Sequence, residues 1–391
     1  MDTFARTRNR RHLATVAGLA LGALLLGGCA GGAATVGPAQ QAPSSATEPF
    51  DLEALVAAAA AEGPITIYDS TSKIESMAEA FSAKYGIKAT GVKVDAAEAI
   101  EKVTREAQAK NVVGDVVAIS DLPALKNQLL PNNFVRSWVP ADIADNIDAG
   151  MRDPLVLITD PSFWTYNTES YSSCPADNMW ALTTPEFSGK VAYQDPVGDN
   201  GALDWYSQLA AFGEDGLQAA YQEQFGEKLV TTQDSAAAEW VARMAKNNPI
   251  LSKSSEEASE AVGAPGQTDP PMGLMSSAKL RNIEEKGYAL GVCEGMKPWV
   301  GKAAPKAIAI ATGSKSPHAA ELFVHFAMTA EGIEPQINDG KISANSAILQ
   351  PEDPAHVADH LEQLFYFDNA GLDSDWANRE SWLDLWRTSH G

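Results

Sequence analysis

Cysteine and histidine are scarce in this sequence, with three and six residues among 391. The cysteines include no CxxC pair, so a thiol redox centre or a zinc ribbon is not expected. The sequence also lacks a G-x-S-x-G nucleophile motif and an H-E-x-x-H zinc motif. His356 and His360 have the spacing that places two imidazoles on one helical face, but Val357 stands where the zinc motif has glutamate. We therefore expect no catalytic site, no metal and no other cofactor, and an exported hydrolase is the less favoured alternative.

Positively charged residues are also few relative to negatively charged ones. The chain has 29 lysines and arginines against 51 aspartates and glutamates, which gives a net charge of -22. A nucleic-acid partner is not expected, because a phosphate backbone requires a basic surface. The net charge says little about any one pocket, since local groups can override it.

One long apolar run occurs near the start of the chain, and none follows that could span a membrane. This run, at residues 13–28, has sixteen residues and follows Arg6, Arg8, Arg10 and Arg11. A charged segment followed by a short apolar one is typical of an export signal. We predict a signal peptide over residues 1–28. The twin arginines leave both the general and the twin-arginine export routes open.

The run ends in Leu26-Gly27-Gly28-Cys29, which resembles the lipobox of bacterial lipoproteins. The resemblance implies that the signal is removed before Cys29 and that this thiol carries a diacylglycerol. Residues 29–49 are rich in small and polar residues, which predicts a flexible tether. We expect an exported protein anchored by lipid to the outer side of the cytoplasmic membrane, at the cell surface or in the periplasm. Outside the cytoplasm, the remaining pair, Cys174 and Cys293, favours a structural disulfide.

The rest of the chain, about 340 residues, suits two domains. Its start reads strand, helix, strand, helix, strand over residues 64–119, which predicts a parallel sheet. Apolar runs at residues 155–158, 163–168 and 307–311 predict further strands, and helices are expected near 354–365 and 374–388.

Ligands of such open sheets lie beyond the carboxyl ends of the strands. The candidate binding residues are therefore polar or aromatic residues in the turns after predicted strands or close to them. After the first and third strands these are Asp69, Ser70, Thr71, Ser72 and Asp121; in the second half they are Tyr166, Asp199, Asn200, Trp205, Ser276 and Ser277. The helix that begins near Ser72 directs free N–H groups at an anion, although Thr71 or Ser72 could simply cap that helix.

Several motifs, in their order along the chain, resemble those of the type II solute-binding proteins of bacterial ABC importers. The resemblance is to the group that binds ferric iron, polyamines, thiamine and phosphorylated compounds. The motifs are ITIYDST at 65–71, FSAKYGI at 81–87, GDVV at 114–117, YNT at 166–168, and the segments 180–194, 313–332 and 375–380. The resemblance implies an α/β, two-lobed periplasmic-binding-protein fold with a ligand cleft between the lobes. It also implies a small-molecule solute and an ABC permease as partners, and we expect a monomer.

On this layout, lobe one comprises residues 50–153 plus 297–341, and lobe two comprises 159–294 plus 346–391. Cys174 and Cys293 then both fall in lobe two, so their disulfide would leave the cleft free to close. Closure on the ligand would be a shift of population driven by contacts to both lobes. An adhesion or signalling protein could keep the same fold, so the fold alone does not fix the function.

The ligand stays open among three kinds. In the ferric-iron members two tyrosines follow the corresponding strand, whereas this chain has Ser277 and Ala278; Ser72 and Asp121 replace the expected histidine and glutamate. Tyr166, Tyr193 and Tyr206 could supply another set of iron ligands. Hydroxyls and backbone N–H groups favour a phosphate, phosphonate or carboxylate, while carboxylates with Trp164, Tyr166 and Trp205 favour a polyamine-like cation. We expect a phosphorylated, carboxylated or zwitterionic solute, with iron or a polyamine as the alternative.

Overall fold

A computed structural model describes residues 50–352 and 356–390. The predicted signal peptide, Cys29 and the tether lie outside these residues. Within the described part of the chain, no helix combines the length and the apolar character needed to cross a membrane.

Strands and helices alternate along the described chain. The strands are β1 Ile65–Asp69, β2 Ala89–Lys93, β3 Val116–Ile119, β4 Val135–Arg136, β5 Val156–Asn167, β6 Val191–Gln194, β7 Ile250–Ser252, β8 Met272–Ser276, β9 Leu290–Val292, β10 Gly301–Ala311, β11 Ile342–Ser343 and β12 Leu364–Tyr366. The helices are α1 Leu52–Ala60, α2 Lys73–Tyr85, α3 Ala96–Gln108, α4 Leu122–Ala124, α5 Asn200–Phe212, α6 Glu214–Phe225, α7 Ala236–Lys246, α8 Ser255–Gly263, α9 Asn282–Lys286, α10 Pro317–Ala327, α11 Ala330–Ile337, α12 Val357–His360 and α13 Leu372–His390.

The predicted parallel arrangement at the start of the chain is present: β1 pairs in parallel with both β2 and β3. Helix α2 covers this sheet with Ile74, Met77, Ala78 and Phe81, which are buried and recur at helical spacing. The helix ends at Gly86, whose φ of 70° is a left-handed conformation that glycine adopts without steric cost. The carboxyl ends of β1 and β3 consequently lie at one edge of the sheet.

Two long antiparallel strands, β5 and β10, cross the middle of the sheet, whose strand order is β2-β1-β3-β10-β5-β8-β6-β7. The late part of β10 pairs with β3, and β8 pairs with β5 on the other side. Strand β6 then pairs in parallel with β7 and β8. Two groups of parallel strands are therefore joined through β5 and β10.

Each group of strands has its own large apolar cluster. One cluster contains Phe81, Ile119 and Phe323, and the other contains Trp164, Trp180 and Trp240. The second cluster also holds a disulfide between Cys174 and Cys293, which are 119 residues apart in the sequence.

The predicted helix near 354–365 is wrong at its end, and its first two residues lie outside the described residues. Residues 357–360 form the short α12 and 361–363 a turn of 3-10 helix, but 364–366 form β12, which pairs in parallel with the start of β10. Pairing with a distant strand overrides the local helical pattern here.

Candidate ligand-binding site

A cavity of about 680 Å³, which we call the central pocket, lies over the crossing strands. Its floor contains Lys302 and Ala304 of β10, Asp160 and Ser162 of β5, and Ser276 at the end of β8. Loops and helix starts from both halves of the sheet form its walls, including Ser70, Asp121, Asp199 and Asn200. The pocket thus collects the carboxyl ends of several strands, where ligands of α/β sheets bind.

The strand register sets the order of the floor residues. Lys302 pairs with Ser162, and Ser162 pairs with Ser276, so these three side chains form one row across three strands. The neighbouring Gly301 allows β10 to approach β5 closely. A Cβ atom on Gly301 would lie 1.9 Å from the carbonyl oxygen of Ser162, so a larger residue would move the row.

The ammonium of Lys302 and the hydroxyl of Ser162 are free: within the described chain neither forms a hydrogen bond or an ion pair. Both side chains are partly buried. Burial lowers the pKa of Lys302, although Asp199, Asp204 and Asp160 act in the opposite direction. The Lys302 ammonium also lies 5.0 Å from the centre of the Trp205 ring. A desolvated cation beside a free hydroxyl suits an acidic group of a ligand.

Three of the four carboxylates that line the central pocket already have partners, and Asp95 is the one without a partner among the described residues. Asp160 accepts from Lys341 at 2.8 Å, and Asp121 accepts from Arg379 at 2.6 Å. Burial raises the pKa of Asp160, but Lys341 outweighs burial and the pKa is lower than usual. Asp199 accepts from the backbone N–H of Gly201 at 2.9 Å and so caps α5.

Three long helices, α3, α5 and α8, begin at the central pocket. Asp95, Ala96 and Ala97 at the start of α3, Asn200 and Gly201 of α5, and Ser255 of α8 line it. The first N–H groups of a helix are unpaired within it, and its dipole places partial positive charge there. Asp199 already accepts from an N–H of α5 and Asp95 precedes α3, so the start of α8 is the one of the three that adds to the attraction of Lys302 for an anion.

A smaller cavity of about 400 Å³, which we call the side pocket, adjoins the central one. The two cavities share Ser70, Asp160, Ser276 and Lys306 in their linings. Thr71 and Ser72 line the side pocket, where the Thr71 hydroxyl accepts from the N–H of Lys73 at 3.3 Å.

The structure gathers most of the predicted binding residues around these cavities. Ser70, Asp121, Asp199, Asn200 and Ser276 line the central pocket, and Thr71 and Ser72 line the side pocket.

Four predicted residues are absent from the linings of both pockets. Asp69 is buried, and its carboxylate binds Lys306 at 2.7 Å and Gln336 at 3.1 Å. The buried Ser277 donates to the carbonyl of Gly340 at 2.8 Å. Trp205 packs on Trp240 inside the second apolar cluster, with 1% of its surface exposed, and Tyr166 packs at the edge of that cluster. Their sequence positions after strands therefore do not bring them into the pocket walls.

The three tyrosines considered as iron ligands also lie away from both pocket linings. Tyr193 and Tyr206 are buried, and their hydroxyl oxygens are 2.8 Å apart in a mutual hydrogen bond. Burial raises the pKa of both phenols, which opposes the phenolate form that a ferric ion needs. Among the described residues, no group of three or more His, Cys, Asp or Glu is placed to hold a metal ion.

Sequence reasoning missed the lysines of the cleft and assigned anion binding to uncharged groups. Lys302 and Lys306 stand on β10, and Lys341 precedes β11. Only residues 307–311 were expected to be a strand, because the small and charged residues before them lack an apolar pattern. Lysines at positions 302 and 306 of one strand share a face, and that spacing is the signal that could have found them.

Comparisons with known proteins bear on the family and the fold. Residues 76–361, well over half of the chain, match the family model of bacterial extracellular solute-binding proteins. A search of curated protein sequences finds no match.

Three solved structures are similar over most of the chain. Iron-bound HitA from Pseudomonas aeruginosa has a TM-score of 0.62 at 16% identity, covering 84% of this chain and 99% of that chain. AfuA from Actinobacillus pleuropneumoniae, with fructose-6-phosphate bound, has a TM-score of 0.60 at 19% identity, covering 83% and 99%. The substrate-binding protein of an ABC transporter from Agrobacterium tumefaciens has a TM-score of 0.63 at 14% identity, covering 84% and 95%.

These structural similarities confirm the predicted fold, an α/β, two-lobed periplasmic-binding-protein fold of type II. The match to the family model extends from α2 to the residues after α12 and includes both crossing strands. The chain belongs to the family of bacterial extracellular solute-binding proteins.

Proposed function

We propose that this protein is the solute-binding component of an ABC importer, which captures a small acidic solute in the central pocket and delivers it to a membrane permease. Family membership and the fold support the role in solute binding. The proposal includes export by the signal at residues 1–28 and a lipid anchor at Cys29, which would keep the protein near its permease. It assigns the protein no enzymatic activity.

The observation that carries the proposal for the ligand is the free pair of Lys302 and Ser162. A partly buried ammonium without a counter-ion is costly, and an acidic group bound there would relieve that cost. The adjacent hydroxyl and the start of α8 supply further donors in the same pocket. A phosphorylated or carboxylated solute, or a zwitterion bound through its acidic end, meets these requirements.

The same pocket is less suited to an organic cation than to an acidic group. Arg379 and Lys341 neutralise Asp121 and Asp160, which leaves Asp95 and Asp199 as the lining carboxylates without an ion pair in the described chain. Trp205 is buried in the apolar cluster, so it does not offer an open face to a ligand cation. The positions of Tyr193 and Tyr206 likewise count against a ferric ion.

For the lobes, we propose the boundaries 50–153 plus 297–341 and 159–294 plus 346–391. The apolar clusters support most of this division, because the first contains Ile119, Ile308 and Phe323, and the second contains Trp180 and Trp240. Leu372 of the second lobe is an exception, since it packs in the first cluster. With β5 and β10 between the clusters, a change in twist of these strands would open or close the central pocket.

Isothermal titration of the purified protein tests the proposal. Phosphate monoesters, phosphonates, carboxylates, amino acids, polyamines and ferric citrate form the panel. One acidic class should bind, and Lys302→Met should weaken its binding about a hundredfold, as expected for a desolvated charged contact. Lys228→Met is the matched control, because Lys228 is exposed and lines neither pocket. Tight binding of a polyamine would contradict the proposed site. So would an acidic solute whose affinity is unchanged by Lys302→Met. The solute should be recovered unchanged after incubation.

A further inference from the structure

The lining of the side pocket carries more positive than negative charge, in a chain whose net charge is -22. Three carboxylates line it, those of Asp160, Glu285 and Asp339. Six cationic side chains line it as well: Lys73, Lys93, Lys279, Arg281, Lys306 and Lys341. The excess of positive charge is local, and local charge decides what a cavity attracts.

Five of the six cations of the side pocket have a carboxylate partner, and Lys93 is the exception among the described residues. Lys306 binds the buried Asp69 at 2.7 Å and Lys279 binds Glu256 at 2.8 Å, although neither carboxylate lines the pocket. Asp339 accepts from Arg281 at 2.7 Å and lies 3.6 Å from the ammonium of Lys73, while Arg281 also lies 3.5 Å from Glu285. Asp160 is held by Lys341, which is 5% exposed. The hydroxyls of Ser70, Thr71 and Ser72 lie in the same wall.

The side pocket opens onto the central one, and β10 connects them. Lys302 and Lys306 lie four residues apart on the same face of that strand, a separation of about 13 Å between their Cα atoms from the rise of a strand. Lys302 lines only the central pocket, while Lys306 lines both. A solute whose acidic group binds Lys302 can therefore extend past Lys306 into the side pocket.

We infer that the ligand carries two acidic groups, with one at Lys302 and Ser162 and a second in the side pocket near Lys93, Arg281 and Lys341. This inference rests on the proposed function and makes its substrate class more specific. Phosphate is the best match for the second group, since Arg281 and several lysines and hydroxyls can donate to its oxygens. A bisphosphorylated solute or a phosphorylated carboxylic acid has this arrangement.

Matched pairs of probes test the inference by isothermal titration. Fructose 6-phosphate is compared with fructose 1,6-bisphosphate, and alkyl phosphonates with α,ω-bisphosphonates of two to eight carbons. The best probe with two acidic groups should bind at least about tenfold more tightly than its counterpart with one acidic group, as a second charged contact provides. Its affinity should also fall more steeply with salt.

Variants separate this inference from the proposed function. Lys93→Met should weaken binding of the best probe with two acidic groups about tenfold and leave binding of its one-group counterpart unchanged, whereas Lys302→Met should weaken both. The exposed Lys228→Met should change neither. If the one-group probe binds through Lys302 but no two-group probe binds more tightly, or if Lys93→Met has no effect on the two-group probe, only the second site is overturned. If no acidic probe depends on Lys302, the proposed function itself fails.

Discussion

Arg379 on α13 donates to a carboxylate oxygen of Asp121 across 2.6 Å, and this contact ties the C-terminal helix to the loop after β3. The same guanidinium donates to both oxygens of Asp204 on α5, each at 2.7 Å. The side chains of Arg379, Asp121 and Asp204 are 11%, 11% and 6% exposed. One arginine therefore joins three segments of the chain, and Asp121 is itself part of the pocket wall.

Replacing Arg379 should destabilise the protein strongly. Arg379→Met leaves two nearly buried carboxylates without a counter-charge, and loss of one partner from a buried ion pair costs about 3–5 kcal/mol in the free energy of unfolding. Arg379→Lys should recover only part of the loss, because lysine lacks the planar fork that binds both carboxylates. Urea unfolding measures the stability of both variants. Arg387→Met is the control, because Arg387 is exposed and lies on the same helix. A loss no larger than that of the control would show that the Arg379 contacts contribute little.

The pH dependence of stability should report on Asp204. Burial, the largest effect, raises the pKa of Asp204 to about 6, although the hydrogen bonds from Arg379 act in the opposite direction. The folded state then binds this proton more tightly than the unfolded state, whose aspartate pKa is about 3.9. The contribution of Asp204 to stability is therefore present at low pH and is lost as the pH rises through 6.

Asp204→Asn isolates this contribution, since asparagine does not titrate. The free energy of unfolding of the native protein minus that of the variant should increase by on the order of 3 kcal/mol from pH 7 to pH 4. Other titrating groups cancel in the difference. A difference that stays constant between these pH values would mean that Asp204 keeps an ordinary pKa.

Much of the first half of the fold could be predicted from the sequence, because its pattern is local. Ile74, Met77, Ala78 and Phe81 recur at helical spacing between two apolar strands, and the structure buries all four against that sheet. The polar turns after β1 and β3 followed from the same pattern, which placed Ser70 and Asp121 at one edge.

The crossing strands were harder to predict, because each contains a proline near its middle. Strand β5 was expected as two pieces on either side of Pro161, and β10 was expected to begin only after Pro305. Proline lacks the N–H of a strand ladder, so it argues against a central strand. Because the early part of β10 was not predicted as a strand, Lys302 and Lys306 were not placed in the floor of the pocket. The burial of Asp69 against Lys306 was also beyond the sequence, since 237 residues separate them.

Asp69 and Lys306 should behave as a coupled pair in folding. Their side chains are 0% and 4% exposed, and the ammonium lies 2.7 Å from the carboxylate. Asp69→Asn and Lys306→Met each leave one buried charge unpaired, with an expected cost of about 3–5 kcal/mol. The double variant should cost clearly less than the sum of the two single variants. Urea unfolding of the four proteins gives the coupling free energy, and additive losses would refute the pairing.

Removal of the disulfide should affect stability without affecting ligand binding. Cys174 and Cys293 close a loop of 119 residues in sequence separation, and such a cross-link limits the unfolded chain. The double variant Cys174→Ala and Cys293→Ala should lose about 2–5 kcal/mol in the free energy of unfolding.

Neither cysteine lines the central or the side pocket, so the affinity for the best acidic solute should stay within about twofold when measured well below the melting temperature. The wild-type protein treated with a reducing agent provides the comparison, because it lacks the cross-link but keeps both side chains. A large fall in affinity in both samples would mean that the cross-link, although remote from the pocket linings, holds α5 or β8 in the geometry that the ligand requires.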